Sequence, residues 1–115
     1  MNEYVFIFRN KQSSGPQPSA DQLNEMMRQW KTWMEGIASK NQLVSPGNRL
    51  GVEGKIVQPN KLIIDGPFTE SKEIVGGFII VRANSAQDAA DIATGCPILK
   101  IGGTVEVRNI IDMAS

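Results

Sequence analysis

The chain contains no histidine, so the commonest general base and the commonest transition-metal ligand are both missing. Acid–base chemistry would have to use carboxylates, lysine, arginine, Tyr4 or Cys96, and no metal or cofactor is expected. Cys96 is the only cysteine; it has no partner for an internal disulfide and fits a reducing compartment. No apolar run approaches the ~18 residues of a membrane span, and the N-terminus lacks a basic segment followed by an apolar signal core. Net charge is lacking too: 12 Lys and Arg balance 12 Asp and Glu, leaving no long-range field to draw in polyanions or acidic membranes. The expectation is a soluble cytoplasmic protein whose partner is neither nucleic acid nor membrane.

What is present suits one core. The 115 residues are 41% apolar and 21% charged, ordinary for a globular domain and too apolar for a disordered chain, so residues 1–115 are expected to form a single domain. Glu3 to Arg9, EYVFIFR, is rich in aromatic and β-branched residues and predicts a strand, ended by the polar NKQSSGPQPS. Ser19 followed by Gln22 spells a capping box. Leu23, Met26, Met27, Trp30, Trp33, Met34 and Ile37 then recur at spacings of three and four, which predicts a helix over about 19–40 with one apolar face. Asn41 to Gly47 reads as a connection, with strands over 48–53 and 61–65. A third well-marked strand runs from Val75 to Ala83, a second helix is capped by Ser85 and stopped by Gly95 and Pro97, and a closing strand spans Thr104 to Asp112.

The order strand, helix, strands, helix, strand predicts an α+β fold, a ferredoxin-like βαββαβ protomer with an antiparallel sheet and two helices on one face. Tyr4, Phe6 and Phe8 alternate with Val5 and Ile7, and Phe78 and Ile80 with Ile79 and Val81, so both faces of the sheet are apolar. Two helices cover only one face. A second copy packed sheet to sheet about a two-fold axis is the cheapest cover for the other, which predicts a homodimer.

The run DGPFTESKEIVGGF, Asp65 to Phe78, lies between LIID and FIIV and is the candidate site. Asp65 shares the parity of Ile63. It is expected at a sheet border, partly buried, either receiving backbone N–H groups in a turn or moving a proton as catalytic acid or base. Phe68 is expected to plug the core or line a pocket mouth. Glu70, Lys72 and Glu73 form an ion-pair cluster in either extended or helical geometry; this is a solvated face in one reading. In the other, Lys72 holds a substrate carboxylate while Asp65 or Glu73 transfers a proton. Glu106 and Arg108 share one face of the last strand, where Arg108 is a candidate second clamp for a carboxylate. Gly76 and Gly77 suit a β-bulge or a close approach of another backbone. Trp30 and Trp33 read as core or dimer contacts, and Cys96 as a small buried residue.

DGPFTESKEIVGGF, together with SAQDAADIATGCP at 85–97 and GGTVEVRNI at 102–110, resembles the DGPF-type branch of the YCII-related family. The N-terminal EYVFIF strand and the Trp-containing helix fall where that family has them. The resemblance implies a dimeric α/β-barrel assembly of ferredoxin-like protomers, in agreement with the dimer read from the two apolar faces. It also implies kinship to muconolactone-isomerase-like enzymes, some members carrying a His and Asp pair in a cleft of the protomer; this sequence departs from that pattern in having no His. Two functional readings follow. The first is binding of a small anionic organic molecule, with lactone or muconolactone-like isomerisation or elimination by carboxylate acid–base chemistry. The second is a non-catalytic binding or regulatory interaction module linked to transcription, since the resemblance implies a setting beside extracytoplasmic-function sigma factors.

Overall fold

The computed structural model describes residues 1–11, 18–67 and 73–112. Among these residues, six strands and two helices follow in the order β1 (Asn2–Lys11), α1 (Ala20–Ser39), β2 (Leu43–Arg49), β3 (Gly54–Val57), β4 (Ile63–Gly66), β5 (Glu73–Ala83), α2 (Ala86–Ala93) and β6 (Thr104–Asn109), with a 3-10 turn over Pro97–Ile101. Strands β2-β5-β1-β6 make one antiparallel sheet, while among the described residues β3 and β4 pair only with each other. This is the ferredoxin-like α+β pattern, with a hairpin inserted between its second and third sheet strands.

Both helices start as their sequences dictate. The Ser19 hydroxyl accepts from Gln22 N at 3.1 Å and the Gln22 side chain accepts from Ser19 N at 2.9 Å, satisfying two donors that a helix N-terminus otherwise leaves unpaired. Ser85 caps α2 by accepting from Asp88 N at 3.1 Å. The alanines of α2 let it lie close: Ala89 is 0% exposed, among core neighbours that include Val81 and Ala83.

Strand alternation divides the sheet as expected. Tyr4, Phe6, Phe8, Ile79 and Val81 face the helices and form the core with Ile37, Ala93, Cys96 and Ile98, while Val105 and Val107 pack against it. Val5 stands opposite Ile80 and Arg108, and Ile7 opposite Phe78 and Glu106, so these residues share the other, open face. Its apolar members are only half-buried.

The segment 41–47, expected as a connection, contains most of β2, and the strand expected over 48–53 ends at Arg49. Pro46 and Gly47 misdirect the reading because β2 is an edge strand, where a missing N–H is tolerated. Its register against β5 shifts on both sides of Ser45. Gly47 has φ 59° and a Cβ there would stand 1.8 Å from Phe78 O, so glycine is required where β2 crosses β5. The strand expected over 61–65 is β4, Ile63–Gly66, and belongs to the separate hairpin; the last strand stops at Asn109.

Candidate functional site

Helix α1 rests on the sheet along its C-terminal half only. Ile37 is 5% exposed, whereas Leu23 is 45% and Met27 64% exposed. Trp30 and Trp33 account for the divergence. Phe8 meets Trp30 edge to face at 4.9 Å, Trp30 meets Trp33 at 5.6 Å, and Trp33 stacks on Phe6 at 6.2 Å, so a wedge of rings separates helix from sheet. The indole N–H of Trp33 donates to Ile92 O at 3.2 Å, tying the wedge to α2. Toward the helix N-terminus the gap becomes a cleft of about 520 Å³, inside the roughly 300–1,000 Å³ range of small-molecule sites.

The walls are apolar and soft: Met26, Met27, Met34, Trp30, Phe8 and Ile98 line the cleft, and thioethers adapt to irregular contents. Among the described residues the polar lining is Asn10, Asn48 and Arg49. Asn48 and Arg49 reach this position because β2 approaches β5 closely: a Cβ at Gly77 would stand 2.8 Å from Asn48 O. Gly76 is the extra residue of the register shift that follows Phe8–Gly77 pairing, and its carbonyl accepts from Leu50 N at 2.9 Å. The two glycines therefore supply both the close approach and the bulge that their type allows.

The sequence singled out other residues, and the described ones are dispersed. Asp65 lies on β4 opposite Lys55, 89% exposed at its side chain and hydrogen-bonded to the Lys55 ammonium. The partial burial expected for it is not found, because β4 joins a two-stranded ribbon and not the main sheet. Glu73 opens β5 opposite Lys11, and Arg108 lies on β6 opposite Val5, exposed. Lys11 and Val5 are six residues apart on β1, which separates Glu73 from Arg108 by roughly 20 Å along the strands. Glu106 does share the open face with Arg108, and the Arg9 guanidinium pairs with it. Phe68, Glu70 and Lys72 lie outside the described residues.

Of the aromatic pair, Trp30 and Trp33 pack on the core, and Trp30 also lines the cleft. Cys96 is 2% exposed and burial pushes its thiol up to about 11, opposite to what an activated nucleophile needs. The cleft itself escaped sequence reading. Leu23, Met26, Met27 and Met34 have perfect core periodicity, and only the number of methionines on one face hinted at a surface that must adapt.

Together these features define a class: a ferredoxin-like α+β protomer with a helix-side cleft and an inserted hairpin. The model of the YCII-related domain matches residues 3–114, and the chain belongs to that family. No curated protein matches it. Among the described residues no helix is long and apolar enough to cross a membrane.

Proposed function

We propose that this chain is a DGPF-type YCII-related domain, acting as a homodimer, whose protomer cleft binds a small, largely apolar organic acid. The observation that carries the reading is the composition of the cleft among the described residues: a soft apolar wall with one arginine, Arg49, and Asn10 and Asn48 beside it, Asn48 through its backbone at Gly77. Such a site gains from burying hydrocarbon and selects for a carboxylate through the fork of Arg49. Between turnover and simple binding, the exposure of Asp65 and the separation of Glu73 from Arg108 favour binding. The acid–base roles first assigned to Asp65 and Glu73 have no common cavity to support them among the described residues.

Self-association through the open face is supported by Val5, Ile7, Phe78 and Ile80, which the protomer leaves half-covered. Arg82 continues that face opposite Glu3. Its Nε is buried with no hydrogen-bond partner among the described residues. Analytical ultracentrifugation at micromolar concentration is expected to return a dimer, and a monomer there removes this part of the reading.

For the cleft, a thermal-shift series should compare aromatic and medium-chain carboxylates, muconate-like dicarboxylates and neutral lactones. A ligand that binds only the native state raises the melting temperature by mass action. Acids are expected to shift it, Arg49→Ala to abolish the shift, and Asp65→Asn to leave it unchanged. Equal shifts from neutral lactones in the Arg49→Ala protein would contradict an anion-selective site.

A further inference from the structure

The β3–β4 hairpin is built like a core element and placed like a surface one. Its register sets Lys55 opposite Asp65, Ile56 opposite Ile64 and Val57 opposite Ile63. The strands pack chiefly on each other, and apolar side chains along the segment stay in solvent: Val52 is 70% exposed, Val57 68%, Ile63 62% and Leu62 51%. An isolated two-stranded hairpin is marginal in water, and this much exposed β-branched surface on one arm is what soluble chains usually cover. The radius of gyration, 15.9 Å, exceeds the roughly 13 Å of a compact chain of this length, as a projecting arm requires.

We infer that the hairpin is a dimerisation arm that docks on the second copy beside the start of β6. The inference rests on the open-face dimer proposed above and adds where the arm goes. Among the described residues the main sheet ends in two edge strands, β2 and β6. A two-fold axis between the sheets can run along the strands or across them. Along the strands, it brings the β2 edge of each copy over the β6 edge of the other and preserves level. The arm leaves the sheet after Arg49, which lies opposite Gly77, which lies opposite Phe8, which lies opposite Val105. It therefore meets the other copy at the beginning of β6 and the preceding 3-10 turn, where Leu99 is 44% and Ile101 55% exposed on either side of an exposed Lys100. Across the strands, the same arm would reach the start of β2, where the exposed residues are Lys40 and Asn41. An apolar arm matches the first arrangement.

The test uses the whole chain. Sedimentation equilibrium of Val57→Lys/Ile63→Lys is expected to show a dimer dissociation constant raised at least tenfold, with unchanged far-ultraviolet circular dichroism. Leu99→Lys, on the same turn but outside the cleft lining, is expected to weaken the dimer in the same direction. Hydrogen exchange on the unaltered protein gives an independent readout: amides of 54–66 and of 97–104 should gain protection together as concentration rises through the dimerisation range. A wild-type dimer whose affinity is unchanged in the arm variant, or exchange protection on the arm without protection at 97–104, overturns the docking inference and leaves the open-face dimer standing. A wild-type monomer at all accessible concentrations overturns both.

Discussion

Two of the antiparallel strand pairs, β1–β5 and β3–β4, have similar chemistry and opposite fates. In β1 and β5, Phe6 and Val81 are 0% exposed; in the β3–β4 arm, Val57 and Ile63 are 68% and 62% exposed. Both pairs alternate or cluster β-branched residues, and both are well formed. What separates them is the third element. Helices α1 and α2 press on the first pair, whereas among the described residues the arm has only its own partner strand. Burial is a property of the layer above a residue, not of the residue.

The comparison breaks most visibly in the core. Phe6→Ala removes a fully buried ring that stacks on Trp33 and is expected to cost about 3–5 kcal/mol. That is a large share of the roughly 5–15 kcal/mol that holds such a domain folded. Val57→Ala on the arm should alter protomer stability by less than about 0.5 kcal/mol. Urea unfolding of the two variants, at concentrations below dimerisation, measures the ratio directly. Comparable losses would mean that the arm packs on the body after all.

A second difference lies in what the core does to a titratable group. Cys96, 2% exposed beside Ile98, has its thiol raised by burial from the ordinary 9.0 to about 11. The folded state therefore holds the proton more tightly than the unfolded chain. This contribution is complete below about pH 9 and is lost as pH rises toward 11, amounting to about 2–3 kcal/mol. The difference in unfolding free energy between wild type and Cys96→Ala should shrink over that interval and stay constant below it. A difference that is flat from pH 7 to 11 would show that the thiol is not held protonated by the fold.

The sequence declared the ferredoxin-like order, both helix caps and the two-faced sheet because each rests on local chemistry: a Ser three residues before its target amide, or side chains alternating along a strand. It misplaced β2 because Pro46 and Gly47 are punctuation in any local reading, and only an edge position next to Phe78 makes them acceptable. The candidate site was less legible. Asp65 has the parity of a sheet-border residue, yet β4 never joins the main sheet. The cleft depends on α1 diverging from the sheet over the Trp30–Trp33 wedge, a tertiary event with no local signature. Arg49 and Asn48 enter it only through the close β2–β5 crossing at Gly77.

The smallest expected effect belongs to the arm's ion pair. Lys55 and Asp65 stand opposite each other and are hydrogen-bonded, with side chains 67% and 89% exposed. An ion pair this open to water gains little Coulomb energy and costs side-chain entropy to hold its geometry, and added salt weakens it further. Asp65→Asn should therefore change protomer stability by less than about 1 kcal/mol, with the difference fading in 1 M salt. A core carboxylate pair cut in the same way would leave an uncompensated buried charge and cost about 3–5 kcal/mol. If Asp65→Asn proved that costly, Asp65 would have to be buried in the working form of the protein. Since the protomer exposes it, the burial would have to come from the second copy over the arm, and the penalty should then appear only at dimerising concentrations.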